Sequence, residues 1–377
     1  MNLTQTSVLA RKAIIGGIAF LLIALVTKSF LIPAGRQAYK SLFPPKDPPN
    51  PIYGKLSAPK FEQKKVLNTD TVFELDTKTG KLPTGLPNKM AVYRIDPPAF
   101  SYEGGKKASD TAKALGFSDT DLVSDLKGDT YVWRNNTLGR ELKIQINTKY
   151  LSLTTNVSDK SSVFSSGGSF SEADVKRVTN GFLNQTGRVL GNLYSAGTQK
   201  IMFGRFSGQR IIETDNPSGA QVAVIDYYRK IKDTPVYGPD LDKGLISIVV
   251  GNTDNANMKY VEAEIKNFEI NGQSNATYPI VPVSQVWAAV QQNKGVMASV
   301  NPDEQSDFGT YSPVSIQKIL ITEVELAYYE ELEPQKYLQP IYVFKGFYTS
   351  AGSKGSVAIY YPAISGDYIQ EVDTPTE

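Results

Sequence analysis

Apolar positions along this chain follow two patterns. Residues 13–32 (AIIGGIAFLLIALVTKSFLI) form a long, mostly apolar run, whereas the segments beyond residue 65 alternate at short periods. A helix of that length rises ~1.5 Å per residue and spans about 30 Å, the hydrocarbon thickness of a bilayer. Lys28, near its far end, can carry its ammonium to the interface along its own stem. The pattern predicts a transmembrane anchor over 13–32 behind a cytoplasmic tail, 1–12. Arg11 and Lys12 precede the run, and Lys28, Arg36, Lys40 and Lys46 follow it, so flanking charge alone favours the opposite orientation. A short basic tail ahead of a large translocated region outweighs that count and puts the amino terminus inside and the carboxyl-terminal bulk outside, at the cell membrane. A cleaved signal peptide is the alternative, although its one candidate site, Ile32-Pro33-Ala34, carries proline in the middle.

After the run, Pro33, Pro44, Pro45, Pro48, Pro49, Pro51 and Pro59 mark an extended spacer over 33–65, since proline fixes φ and removes amide donors. A first unit is expected over 66–160. It contains a strand at 90–95, a short helix with Ala108, Ala112 and Leu115 on one face and a left-handed stop at Gly116, then strands around 131–134, 142–146 and 150–155. A Ser/Gly-rich junction, 161–169, opens a second unit, 161–275. Its helix starts with a Ser171/Asp174 capping box and aligns Val175, Val178, Phe182 and Val189, and strands follow at 221–228, 244–251 and 258–270, the last with a slip in period as at a bulge. A third unit, 276–368, carries a helix capped by Ser284, lined by Val286, Trp287 and Val290 and stopped by Gly295, then strands at 314–329, 338–348 and 355–364, with a tail over 369–377. These elements predict an α+β class: an N-terminal transmembrane helix followed by antiparallel sheets, each packed with a helix.

The third unit also carries a resemblance. Residues 283–290 (VSQVWAAV) with the Gly295 stop, 321–330 (ITEVELAYYE), 337–346 (YLQPIYVFKG) and 360–364 (YYPAI) resemble the carboxyl-terminal region of YycH/YycI-type proteins, which are PepSY-related. The LGF of 115–117 and the YVW of 131–133 fit the same style, and the chain is similar to single-pass proteins of candidate-phyla bacteria. The resemblance implies a membrane-anchored extracytoplasmic regulator whose partner is a sensor kinase of the cell envelope or a larger envelope complex.

Composition narrows the chemistry. Forty basic against thirty-eight acidic residues leave little net charge, and no basic cluster interleaves with aromatics, so nucleic acid is not an expected partner. With neither cysteine nor histidine, thiolate and histidine-dependent catalysis and their zinc sites are closed. No Gly-x-Ser-x-Gly elbow, Walker loop or dinucleotide fingerprint is present. Asn252, Asp254, Asn255 and Asn257, with Asp240, Asp242 and Gly244, have oxygen ligands at calcium-like spacing but read as turns. Glu262 with Glu264, and Glu323 with Glu325, pair carboxylates on strand faces, as any solvated face would. Trp133 and Trp287 have apolar neighbours and belong to the core. No catalytic, cofactor-binding or metal residue is assigned. The tyrosines Tyr328, Tyr329, Tyr337, Tyr342, Tyr348, Tyr360 and Tyr361 concentrate amphipathic rings in one unit and are the candidate partner-contact face. The expected function is non-enzymatic regulation or scaffolding through protein contact. A glycan-binding module, an Asp/Glu-dependent glycan hydrolase and a structural component of an envelope assembly are the alternatives.

Overall fold

Period-two alternation of buried and exposed side chains governs most of the chain, as in Arg140–Gln145, where Arg140, Leu142 and Ile144 turn inward and their neighbours outward. The computed structural model describes Thr27 and residues 47–370, apart from 69, 97–101, 127, 158–160, 165–167, 169, 192–193, 195–196, 208–209, 267–268, 271–275, 304–307, 309–310 and 332–334. Met1–Asn50 and Pro51–Glu377 are separate compact units, and every described strand belongs to the second.

Two large sheets organise that unit. Sheet I runs, in spatial order, Arg229–Ile231, Thr234–Tyr237, Lys318–Tyr329, Tyr337–Ser350, Ser353–Pro362 and Val296–Pro302. Val72–Leu75 lies parallel to the start of Lys318–Tyr329, and Tyr93–Asp96 pairs with the start of Tyr337–Ser350. Sheet II is antiparallel throughout, in the order Leu122–Leu126, Thr130–Asn135, Arg140–Gln145, Leu151–Thr155, Tyr260–Ile265, Ile246–Gly251, Val222–Tyr227, Gln199–Ser207 and Arg210–Glu213. Val261 is an extra residue opposite the Val249/Val250 step, a bulge that the regular alternation from Tyr260 to Lys266 does not show; the slip expected at Phe268 lies outside the described residues.

Helices α1 (Gly104–Ala114) and α2 (Glu172–Gln185) both cover one face of sheet II, burying Ala108, Ala112, Val175, Val178 and Phe182 against Trp133, Leu142, Ile144 and Ile248. The third helix, α3 (Val283–Gln291), sets Val286, Trp287 and Val290 on sheet I, with Trp287 stacked 5.8 Å from Phe344. Local signals are exact at some ends and misplaced at others. Ser171 and Asp174 form the capping box, and Gly116 has φ +86° at the end of α1. Helix α2 ends at Gln185, however, leaving Val189 exposed. Pro282, not Ser284, is the N-cap of α3, and the left-handed residue after it is Asn293 rather than Gly295. Gly295 is required for another reason: a Cβ there would sit 2.5 Å from Ile359 Cγ2 on sheet I.

Three expectations need correction. The chain is not α+β: three α-helices stand against twenty strands among the described residues, and the architecture is predominantly β. The physical reason is pairing across units, since strands at 122–155 and 199–265 complete one sheet with two helices on it, instead of each sheet having its own helix. The anchor at 13–32 lies outside the described residues except for Thr27. Among the described residues no helix is long and apolar enough to cross a membrane, which conflicts with the single-pass, signal-anchored, N-inside cell-membrane assignment. Apolarity over a stretch measures a transfer preference and does not by itself define a spanning helix. Finally, the second half of the proline spacer is packed. Leu56 is fully buried and donates its N–H to Tyr368 O at 2.8 Å, while Tyr53 stacks on Tyr337 and Phe61 meets Tyr329 edge to face.

The chain leaves sheet II at Tyr227 and enters sheet I at Arg229, whose guanidinium donates to the Glu330 carboxylate with both side chains buried. The Tyr194 ring lies 5.7 Å from the guanidinium, and the Tyr194 hydroxyl donates to Lys266 O at 2.9 Å. Breaking a buried pair leaves one charge uncompensated, so Arg229→Met or Glu330→Gln alone is expected to cost about 3–5 kcal/mol of unfolding free energy. The Arg229→Met/Glu330→Leu double variant should lose much less, which urea denaturation of the three proteins checks.

Candidate functional site

The face of sheet II opposite α1 and α2 carries an unusual residue. Along Val222–Tyr227, Ala223, Ile225 and Tyr227 join the helix-side core, while Val222 and Val224 turn to the other face, and Asp226 follows them by alternation. Asp226 is nevertheless buried. It lines a cleft of about 490 Å³ whose floor is Met202, Val224, Val249 and Val261. The opposite wall is polar and comes from Lys64, the Asp240–Lys243 loop, Asn301 and Tyr311.

The loop is shaped by its own side chains. Asp240 accepts from the Asp242 N–H at 3.1 Å, closing a turn, and the Gly244 N–H donates to Asp226 Oδ1 at 2.9 Å, tying the loop back to the sheet. Ser299 and Asn301, on the edge strand of sheet I, both donate to the Asp242 carboxylate, and Tyr228 donates to the Asp242 carbonyl at 2.8 Å. Lys64 reaches Asp240 at 2.8 Å. Lys243 lies 3.0 Å from Glu264 and 3.6 Å from Glu262, and Lys266 lies 3.0 Å from Glu264.

Burial pushes the Asp226 carboxyl above its ordinary range, and the Gly244 N–H, the Ser247 hydroxyl and nearby Lys243 only partly offset this. Burial pushes Glu264 the same way, but Lys243 and Lys266 outweigh it and hold Glu264 below its ordinary value. The cleft thus joins four carboxylates, Asp226, Asp240, Asp242 and Glu262, with two ammonium groups, Lys64 and Lys243, above an apolar floor. Such a surface attracts a cationic, partly apolar group and can hydrogen-bond it from Asn301 and Tyr311.

The tyrosines expected as a contact face sit elsewhere. Tyr328, Tyr329, Tyr342, Tyr348 and Tyr360 are buried, whereas Tyr337 and Tyr361 are half-buried. Four of the buried hydroxyls donate to loop or strand-end carbonyls: Tyr328 to Ala91 at 3.1 Å, Tyr329 to Lys60 at 3.0 Å, Tyr342 to Val281 at 2.8 Å and Tyr360 to Gly238 at 3.1 Å. Tyr348 pairs with Ser353 at 3.0 Å. Glu323 and Glu325 share Lys345, at 3.9 and 2.6 Å, and the Tyr237 hydroxyl donates to Glu325 at 2.8 Å. In the Asn-rich loop, Asn252 donates to Ala220 O at 3.1 Å and ties the loop to a distant segment, while Asn255 accepts from the Asn257 N–H at 3.0 Å within a turn. Trp133 and Trp287 are buried. Asp240 and Asp242 reach the cleft, whereas Asp226, Lys64, Asn301 and Tyr311 were not singled out by sequence reasoning. For Asp226 a signal exists: it is the charged residue within the otherwise apolar and aromatic run VAVIDYY at 222–228.

No family model matches the chain, and no curated protein does. Among solved structures, an uncharacterised protein from Eubacterium rectale ATCC 33656 is similar at 12% identity, over 80% of this chain and 91% of that one, with a TM-score of 0.41. That match carries neither a YycH/YycI nor a PepSY name.

A carboxyl raised above its ordinary value of 3.8 binds its proton more tightly in the folded chain than in the unfolded one. Its contribution to stability is full below the unfolded value and is lost as pH rises through the folded one. Asp226→Asn, which keeps the acceptor for the Gly244 N–H without the charge, should therefore gain stability relative to the parent as pH rises from about 4 to 8. Urea midpoints of both proteins across that range check this; a pH-independent difference would count against it.

Proposed function

We propose that the chain is a non-enzymatic scaffolding or regulatory protein that acts by protein contact, with the acidic cleft as its contact site. The observation that carries this reading is the sharing of lysines. Glu262 and Glu264 converge on Lys243, and Glu323 and Glu325 on Lys345. Glycoside hydrolysis needs one carboxyl as acid and a second as nucleophile or base, with the glycosidic bond between them. In each strand-face pair an ammonium group fills that space. The cleft's excess negative charge and apolar floor suit a partner segment carrying lysine or arginine among apolar residues. The resemblance of residues 283–364 to YycH/YycI-type regulators points the same way, with a sensor kinase or an envelope complex as the partner class.

A second reading rests on Asp226. Its raised pKa, in one cleft with Glu262, is the asymmetry an acid and a base would use, so a glycan-directed activity is the competing function. Incubation with peptidoglycan separates the two. No turnover is expected, and turnover abolished by Asp226→Asn or Glu262→Gln would establish the hydrolase instead. For the favoured reading, a photoreactive residue at Tyr311 should crosslink a basic partner, and Asp242→Asn should weaken that capture about tenfold, equivalent to about 1.4 kcal/mol.

A further inference from the structure

Helix α2 is stopped by a left-handed glycine, and the residue after it is a cation. Gly187 has φ +67°, its N–H donates to Asn184 O at 3.1 Å, and the Arg188 N–H donates to Leu183 O at 2.7 Å, the two bonds that close a Schellman stop. From there Arg188 reaches the hairpin that joins Arg140–Gln145 to Leu151–Thr155. Its Nε donates to Lys149 O at 3.2 Å and its Nη1 to Thr186 O at 2.8 Å. Both acceptors are neutral carbonyls, and no carboxylate meets this half-buried guanidinium among the described residues. Burial pushes it down to about 10, with no charged neighbour to restore it.

Arg188 and both residues that hold it, Lys149 and Thr186, line one cavity of about 490 Å³ between α1, the end of α2 and that hairpin, so the guanidinium sits in the cavity wall. The volume falls in the range of about 300–1,000 Å³ that small-molecule sites occupy. Its floor is apolar, made of Ala108 on α1 with Ile144 and Ile146. Other polar side chains of the wall are already committed: the Thr111 hydroxyl donates to Lys107 O at 2.8 Å, the Thr186 hydroxyl to Phe182 O at 2.9 Å, and the Gln185 amide to Ala114 O. Arg188 differs from them. Nε and Nη1 fix its plane, and Nη2 is neither bonded nor sealed in the core, so charged donors stay open at a fixed position. Lys107 on the rim is held by Glu103 at 3.8 Å, and Asp110 faces the same opening. A ligand with one negative charge and an apolar body matches this wall, whereas a dianion would leave part of its charge unmatched.

We propose that this cavity binds a small carboxylic acid with an apolar body, its carboxylate paired with the open N–H groups of Arg188 and its body resting on Ala108, Ile144 and Ile146. A charge-assisted bond to an arginine held at two points costs little ordering, and the apolar floor supplies the remaining affinity. The site lies on the helix-covered face of sheet II, shares no lining residue with the acidic cleft, and stands or falls independently of the contact function.

The test titrates the full chain with sodium octanoate below its micellar concentration, at ionic strength matched with sodium chloride, and follows binding by calorimetry. A saturable site is expected, with octan-1-ol and sodium acetate each about tenfold weaker or more, since one lacks the charge and the other the apolar body. Arg188→Gln, which keeps a donor without the charge, should weaken octanoate about tenfold and change octan-1-ol by less than about twofold. Thr111→Trp, on α1 and away from the end of α2, should fill the cavity and block both. Absence of saturable octanoate binding, equal affinity for octanoate and octan-1-ol, or octanoate affinity unchanged in either folded variant would overturn the proposal and leave Arg188 as a cap of α2. Should Arg188→Gln fail to fold, Thr111→Trp and the ligand comparison on the parent protein decide the question.

Discussion

The Arg229–Glu330 pair stands at the point where one chain serves two sheets. Val222–Tyr227 is an inner strand of sheet II, and Arg229–Ile231 is the edge strand of sheet I, with Tyr228 alone between them. No loop absorbs the change of partner, so the crossover must be fixed by side chains. Arg229 supplies a fork, and Glu330, immediately after Lys318–Tyr329, supplies the acceptor while its own N–H donates to Tyr237 O at 2.9 Å. Two buried charges are costly unless mutually well placed, so their geometry selects this crossover over neighbouring registers. The chain then makes the hairpin to Tyr237, passes through Asp240–Gly244 and returns to sheet II at Ile246. The wall of the acidic cleft is the loop on that return path.

Tyrosine extends the same logic outward. Sheet I needs large rings on both faces, and it must also hold segments distant in sequence that make few ladder bonds of their own. A tyrosine satisfies both demands, since its ring packs as core and its hydroxyl still requires a partner. Tyr329 ties down Lys60, Tyr328 reaches Ala91, Tyr360 holds Gly238 and Tyr342 holds Val281. Burial raises the pKa of these phenols, keeping them neutral donors; Tyr342 is pushed up to about 12. The ring density is thus explained by internal tethering, including the docking of residues 53–64 that proline content alone describes as a spacer.

What was legible in the sequence was local. Leu142 and Ile144 alternate with lysine and glutamine, and the strand is there; Ser171 and Asp174 sit three apart, and the capping box is there. The bulge at Val261, by contrast, leaves no slip in the pattern of Tyr260–Ile265. Strands without alternation were missed. Gln199–Ser207 buries Met202, Phe203 and Gly204 in succession, and Thr234–Tyr237 is too short to show a period. Pairing between Leu151–Thr155 and Tyr260–Ile265 spans more than a hundred residues and has no local signature, which is why separate α+β units were expected. The cleft was hidden for the same reason: Asp226, Asp242 and Asn301 meet only after both sheets form.

Charge placement separates the cleft from the other charged clusters. On sheet I Lys345 is shared by Glu323 and Glu325, an arrangement that costs little near water and leaves the trio negative. In the cleft the balance is similar, but the carboxylates are oriented by Ser299, Asn301 and the Gly244 N–H, so their acceptor oxygens are fixed before any partner arrives. Fixed acceptors lose less freedom on binding than mobile ones, which favours recognition over mere charge attraction. Arg140 inverts this pattern. Its Nη1 donates to Leu115 O, but its Nε and Nη2 are buried donors without an acceptor among the described residues, and an unmatched charge is more consequential there than at a rim lysine. One sheet therefore carries oriented acceptors on one face and a buried cation on the other.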